Sequence, residues 1–218
     1  MTAINVLVSD RRVQIVSDGA ASYRGRLHKL VNKVVPVPHL SLAVAFRGKG
    51  RDFPEILRLV GEYSNFDDLK RDLPKRLRKR FGWRRMFGRF FDFDIYIGHV
   101  GAGVASAVFL CSHNGNAEMK AYEWTDIPWV LFSPDLPADD QTFGRAWVSG
   151  LKLMDDRAAV DAVDRQRSVS FGHDRKGSDW GGVGGFVQIT TIGGRGIEQR
   201  IVKRYSDQVG EMLGRSGA

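Results

Sequence analysis

The sequence predicts a mixed α+β protein in which two β-sheets pack face to face and a helical layer covers the outside of each. The predicted elements follow the order four strands, two helices, several strands, two helices and two strands. That order is best built as a four-layer α/β/β/α sandwich. The first hairpin also has little polar alternation, since Ile4, Val6, Leu7 and Val8 are all apolar. Such strands are typical of sheets covered on both faces.

Size and composition predict one domain spanning residues 1–218. The chain has 218 residues, of which 43% are apolar and 27% charged, enough for one sizeable core. No run approaches the roughly 18 apolar residues of a membrane span, and the start lacks the layout of a signal peptide. With a single cysteine, Cys111, which we expect to be a buried strand residue, these features predict a cytoplasmic protein without membrane attachment.

Four strands are predicted in the first quarter of the chain. Residues 3–9 and 13–17 form the first hairpin, which ends at Asp18-Gly19. Residues 33–37 and 40–46 are rich in Val and Leu and are separated by Pro38, which indicates two further strands.

Two helices follow. Asp52 is a plausible N-cap with Pro54 in the first turn. The second helix begins near Asn65 and carries apolar residues at helical spacing, namely Phe66, Leu69, Leu73, Leu77 and Phe81.

The basic segment 70–89 holds a large part of the formal net charge of +8. Its arginines alternate with Trp83, Phe87 and Phe90, a mixture that can bind nucleic acid or another anionic partner. The helical spacing of the apolar residues instead predicts that the basic residues form the solvated face of an amphipathic helix. We favour the solvated face over nucleic-acid binding.

The rest of the chain is predicted to form further strands, then two helices, and finally a hairpin. Strands are predicted over 91–97, 104–111, 119–124 and 127–132, with a turn at Asn114-Gly115. Helical patterns cover 142–154 and 156–168, and a closing hairpin joins 186–192 to 197–204 across Gly193-Gly194.

Thr2 is the main candidate for a catalytic group. Removal of Met1 gives Thr2 a free α-amine beside its own hydroxyl. Nucleophile and base then belong to one residue.

At this point the chain resembles the proteasome β-subunit family, including its simpler bacterial relative, within the N-terminal-nucleophile hydrolases. The resemblance covers almost the whole chain, and the joint order of several short motifs carries it. These motifs are Asp18-Gly19-Ala20-Ala21-Ser22, Lys33-Val34, the segment FRGKGRD at 46–52, and Val183-Gly184-Gly185-Phe186-Val187.

The resemblance implies a threonine peptidase or other amidohydrolase and a role for each matching residue. Thr2 is the nucleophile, Lys33 favours its alkoxide, and Asp18 holds the lysine charged and oriented. The Gly48 amide donates to the oxyanion, an interaction worth about 3 kcal/mol per donor. Ser133 matches one serine of the family's Ser-Gly-Ser. Three residues are implied to line the substrate channel: Ser22, Phe46 and Arg47.

The resemblance also implies partners, and one alternative stays open. It implies self-association into a ring or stacked homo-oligomer, a peptide or small amide substrate and an ATP-dependent unfoldase partner. No cofactor and no metal are predicted, because the five histidines show no paired metal spacing. The alternative is a catalytically inactive protein of the same fold that serves as a structural or binding module, engaging anionic partners through its basic helix.

Overall fold

The computed structural model confirms a mixed α+β fold built mostly from antiparallel strands. It describes residues 2–83, 92–114, 119–134, 153–168 and 181–213. In chain order the strands are β1 (Ile4–Val8), β2 (Arg12–Asp18), β3 (Ala20–Tyr23), β4 (Arg26–Leu30), β5 (Val34–Val37), β6 (Leu42–Arg47), β7 (Asp94–Gly101), β8 (Val104–Cys111), β9 (Trp124–Asp126), β10 (Val130–Ser133), β11 (Phe186–Gly193) and β12 (Gly196–Arg204). The described α-helices are α1 (Phe53–Gly61), α2 (Phe66–Phe81) and α3 (Asp156–Ser168), and Pro38–Leu40 is a short 3-10 helix.

Two sheets have five strands each, and a third has two. The first sheet has the order β10-β1-β2-β11-β12, and the second has the order β5-β6-β7-β8-β9. Strands β3 and β4 form a separate hairpin. Because β1 pairs with both β10 and β2, the residues just before it enter the interior of the first sheet.

The apolar first hairpin is explained by burial on both of its faces. Val6 and Ile15 belong to a core shared with residues of the second sheet, such as Tyr96. Leu7 and Val16 belong to a different core, which contains the buried alanines of α3. Strands with both faces covered have no solvated side on which polar residues are favoured.

Helix α2 confirms the predicted amphipathic pattern. Its five apolar residues are buried and join a core with α1 and the second sheet. Asn65 is the N-cap, and its side chain accepts a hydrogen bond from Asp68 N at 2.8 Å. Arg76 and Arg80 reach back to Glu62 and Glu55 of the α1 region at 2.5 and 3.2 Å. Part of the basic face is therefore neutralised by neighbouring carboxylates.

Four short strands differ from the sequence prediction, namely β3, β4, β9 and β10. Residues 23–31, where no strand is predicted, contain most of the β3–β4 hairpin, whose turn residues Arg24 and Gly25 have φ of 49° and 76°, as a type I′ turn requires. The predicted strand 119–124 is wrong over most of its length, because Tyr122 has φ of 60° and β9 begins at Trp124. The strand predicted over 127–132 begins only at Val130, after Pro128, which has no amide to donate.

Other predictions agree with the structure or lie outside the described residues. Helix α3 and strand β8 have the predicted bounds, and β11 and β12 form the closing hairpin. The helix predicted over 142–154 and the basic residues 84–89 fall mainly or wholly outside the described residues. No helix in the described part of the chain is both long and apolar enough to cross a membrane.

Candidate functional site

A cleft of about 870 Å³ opens beside the start of β1. Its walls come from the β3–β4 hairpin, the connection from β6 to α1, and the neighbouring ends of β7 and β8. Six of the eight residues predicted to act in catalysis or substrate binding line it: Thr2, Ser22, Lys33, Phe46, Arg47 and Gly48. The structure therefore brings together most of the set that sequence resemblance proposed.

Asp18 lies beneath this cleft and is fully buried. One carboxylate oxygen accepts hydrogen bonds from Ala3 N at 2.8 Å and Lys33 Nζ at 2.5 Å. The other accepts from Ala20 N at 3.1 Å and Gly184 N at 3.0 Å. Both oxygens of this buried carboxylate therefore have hydrogen-bond donors, and Asp18 serves as a fixed anchor for the residues around it.

Lys33 combines a cleft position with strong burial. Its side chain is 6% exposed and forms an ion pair with Asp18. Burial lowers the pKa of Lys33 below its ordinary value; Asp18 opposes this shift, and the positive charge of Arg47 adds to it. The lysine can therefore present a charge to the cleft yet release its proton more easily than an exposed lysine does.

Thr2 is held in place through its neighbour Ala3. The Ala3 amide donates to the Asp18 carboxylate, and the Ala3 carbonyl accepts from Asp18 N at 3.2 Å. The next residue, Ile4, pairs with Ser17 on one side and Ser133 on the other. Thr2 itself is half-buried and lines the cleft, whereas Met1 lies outside the described residues. The same carboxylate thus fixes both Lys33 and the peptide that follows Thr2.

Gly48 follows β6 and requires glycine. Its φ is +148°, and a Cβ there would lie 2.8 Å from Phe93 Cβ and 2.9 Å from Phe46 Cζ. The residue is exposed in the cleft, so backbone rather than a side chain forms this part of the wall. An exposed backbone amide is the type of donor that stabilises an oxyanion.

Ser133 lies behind the cleft wall rather than in it. Its hydroxyl accepts hydrogen bonds from Arg47 Nη1 at 2.8 Å and from Tyr96 Oη at 2.9 Å. Burial, followed by the nearby charge of Asp94, raises the pKa of Tyr96, so its phenol stays protonated. The geometry makes Ser133 an anchor for Arg47.

The other two predicted substrate-binding residues have separate contacts. Ser22 Oγ donates to the carbonyl of Gly182 at 3.4 Å. The Phe46 ring stacks on Phe53 with ring centroids 4.9 Å apart. Both residues lie on the cleft wall.

The sequence prediction missed an acidic cluster in the same cleft. His113 Nδ1 lies 3.6 Å from Asp92 Oδ2 and 3.9 Å from Asp94 Oδ1, and all three residues line the cleft. Burial raises the pKa of Asp94, although Arg47 and His113 oppose the shift. Asp92 and Asp94 alternate with apolar residues in the strand predicted over 91–97, a pattern that by itself assigns them to no site. Within the described ranges, no group of three or more His, Cys, Asp or Glu side chains is placed to hold a metal ion.

A second buried ion pair supports the Gly184-Gly185 turn. Arg167 donates to both oxygens of Asp207 at 2.6 and 2.7 Å. Asp207 also accepts from Gly185 N at 2.7 Å, next to the Gly184 amide that binds Asp18. A Cβ at Gly184 would lie 2.4 Å from both members of the pair. The motif at 183–187 identified Gly184 and Gly185, but nothing in the sequence indicated the Arg167–Asp207 ion pair that supports them.

Comparison with known proteins assigns no family to this chain. No protein-family model matches the chain, and a search of curated proteins finds no similar sequence.

Proposed function

We propose that this protein is an amide hydrolase of the N-terminal-nucleophile type, in which Thr2 acts after removal of Met1, and that its layers form the α/β/β/α sandwich of that class. One observation carries the proposal. The buried Lys33–Asp18 ion pair lies in the cleft that Thr2 lines, and Asp18 also binds the amide that follows Thr2. A buried ion pair is costly to maintain, and perturbed titratable groups in a cleft are a frequent mark of catalysis.

In the proposed first step, the α-amine of Thr2 takes the hydroxyl proton and Oγ1 attacks the substrate carbonyl carbon. A threonine hydroxyl needs such a base, and an α-amine with a pKa of about 8 is neutral often enough at neutral pH. The amide of Gly48 donates to the oxyanion. The C–N bond then breaks, the proton passes to the leaving amine, and an ester joins the acyl group to Thr2.

The second step returns the enzyme to its starting state. The free α-amine accepts a proton from water, and the resulting hydroxide attacks the ester carbonyl. The ester C–O bond breaks, the acid product leaves, and Thr2 Oγ1 regains a proton. One water is consumed for each amide bond cleaved.

Lys33 and Asp18 act on both steps by electrostatics. A positive charge on Lys33 favours the Thr2 alkoxide and lowers the pKa of the neighbouring amine. Asp18 keeps that charge in place, since it binds Lys33 at 2.5 Å while fully buried.

The decisive experiment is the intact mass of the purified protein after exposure to a β-lactone. A lactone opens without a leaving group, so an active Thr2 gains the whole mass of the probe on a chain that lacks Met1. Thr2→Ala should give no adduct, and Lys33→Met should slow its formation by at least about 100-fold. Retained Met1 and no adduct would refute the hydrolase proposal.

That negative result would favour the inactive binding module, which should depend on salt rather than on Thr2. Helix α2 gives this alternative limited support, because Arg76 and Arg80 already contact Glu62 and Glu55. The proposal also includes a ring or stacked homo-oligomer and an ATP-dependent unfoldase partner. Light scattering on the purified protein tests the first, and a single monomeric species at working concentration would contradict it.

A further inference from the structure

A groove of about 640 Å³ lies at the end of the two five-stranded sheets that is remote from Thr2. Three hairpin turns meet there, those after β1, β7 and β11. Ala105 N donates to the carbonyl of Asp10 at 3.2 Å, which ties the first turn to the start of β8 in the other sheet. Strand β2 runs from Arg12 in this groove to Asp18 beneath the cleft, a distance of about 20 Å. The groove is therefore separate from the proposed active site.

The groove carries an excess of positive charge. Among the described residues, three arginines line it, namely Arg11, Arg12 and Arg195, against one acidic residue, Glu198. The formal excess stays positive when Asp10, the neighbour of Arg11 in the turn, is also counted. All three arginines are exposed, and none of them forms an ion pair with another described residue. A concave wall with one sign of charge concentrates ligands of the opposite sign.

The side chain of Arg12 lies across strand β11. Arg12 pairs with Gly193 of that strand, and Gly193 pairs in turn with Gly196 of β12. A Cβ at Gly193 would lie 3.5 Å from Arg12 Cγ and 4.0 Å from Arg12 Nε, so the stem of the arginine passes over this glycine. Arg195 belongs to the turn that follows directly. Strand pairing thus brings these two guanidinium groups to one groove.

Glycines leave the rim of the groove open. A Cβ at Gly103, Gly194 or Gly196 would meet no atom within 4 Å, so a ligand can approach the backbone of these turns from solvent. In the part of the chain that the structure describes, no aromatic side chain lines the groove. A nucleobase would therefore find no ring to stack on. The wall suits a ligand that is recognised by its charge.

We infer that this groove binds a compact chain of phosphoryl groups, such as inorganic triphosphate, through Arg11, Arg12 and Arg195. A guanidinium presents a planar fork of N–H donors that matches two oxygens of one phosphoryl group. Several phosphoryl groups in a row can engage more than one arginine, and the volume of the groove is ordinary for a small-molecule site. The inference does not depend on the chemistry of Thr2.

Isothermal titration calorimetry on the whole purified chain tests the inference. The probes are inorganic triphosphate, ATP and citrate in metal-free buffer at an ionic strength of about 0.1 M. We expect triphosphate to bind at least about tenfold more tightly than citrate, because it offers more charge and more oxygens to the guanidinium forks. ATP should bind no more tightly than triphosphate, since the groove lacks a stacking ring. Tighter binding of ATP would still support the phosphoryl site and would identify a nucleotide as its source.

Variants assign the binding to this groove, because basic residues also line the cleft. Arg12→Met and Arg195→Met should each weaken triphosphate binding about tenfold, and the double variant about 100-fold. Arg195 lies in a turn, so its variant serves if Arg12→Met does not fold. The matched control is Arg204→Met, which removes the same charge at an exposed position at the other end of β12, about 25 Å from Gly196. Screening over that distance should keep its affinity within about twofold of the wild type.

Four results would overturn the inference. The first is no saturable binding at about 1 mM triphosphate. The second is an equal loss of affinity in Arg204→Met, which would indicate net charge rather than a site. The third is binding that survives in the double variant, which would place the triphosphate elsewhere, and the fourth is citrate that binds as tightly as triphosphate. Each of these results can occur whether or not the β-lactone labels Thr2, so the two proposals fail independently.

Discussion

Replacing Asp18 with asparagine should destabilise the fold severely, because four donors converge on its carboxylate. Asparagine has nearly the same shape, but its amide nitrogen cannot accept a hydrogen bond. The two donors that face one carboxylate oxygen lose their acceptor, at about 1–3 kcal/mol each, and Lys33 becomes a buried cation without its partner. Removing one member of a buried pair costs about 3–5 kcal/mol. For a chain of this size, that lowers the melting temperature by roughly 6–20 °C.

The unfolding free energy lost in Asp18→Asn should depend on pH, and the burial of Lys33 determines the direction of that dependence. Burial lowers the pKa of Lys33 in the folded protein below its ordinary 10.5. Between the pKa of the folded state and that of the unfolded state, the unfolded chain therefore binds more protons than the folded one. Stability therefore rises with pH across that window. In Asp18→Asn the opposing effect of the carboxylate is gone, so the window begins at a lower pH. The difference from the wild type should shrink as pH rises from 7 toward 10.5, because a neutral Lys33 needs no partner.

Urea unfolding of Asp18→Asn, Lys33→Met and the double variant measures this coupling. The double variant should lose less than the two single variants added together, because neither member of the pair is left alone. A deficit for Asp18→Asn below about 1 kcal/mol at pH 7, or additive losses, would refute the assignment of Asp18 as a buried ionic anchor.

Three further predictions test other parts of the structure. Gly48→Ala should lose at least about 2 kcal/mol of unfolding free energy, because its φ is +148° and a Cβ would lie 2.8 Å from another side chain; an unchanged urea midpoint would contradict this geometry. Leu73→Ala, at a fully buried site, should lose about 2–5 kcal/mol, and a loss under 1 kcal/mol would place the residue outside the core. Hydrogen bonds from Arg58 and Arg80 lower the pKa of Glu55 to about 2, so a carbon NMR titration should find this carboxyl still ionised at pH 3.

Elements with strong local patterns were predictable from the sequence. Helix α2 could be predicted from its apolar spacing and the capping residue Asn65 alone, and both features appear in the structure. Helix α3 and strand β8 were likewise predicted with their observed bounds. A period of 3.6 residues, or an apolar run bounded by turn residues, is set by neighbours in the chain and is therefore visible without tertiary information.

Short strands and the acidic cleft cluster were not predictable in this way. Strand β9 has three residues, and β3 has four, too few to establish a period. Asp94 lay at a polar position of a predicted strand, where solvent is the ordinary neighbour. Its actual neighbours are Arg47 and His113, which are brought there by the pairing of β6, β7 and the end of β8.

The Asp18 contacts explain why the resemblance alone left two functions open. This carboxylate joins residues 15 and 166 positions away, so it holds together β1, Lys33 and the glycine turn whether or not the site reacts. The geometry at Asp18 and Lys33 is therefore expected both of a hydrolase and of an inactive protein with the same fold. Thr2 differs, because it is half-buried at the start of β1, and its hydroxyl matters mainly to the proposed chemistry. If the hydrolase proposal is correct, Thr2→Ala removes acylation with little change in unfolding free energy, whereas Asp18→Asn changes both.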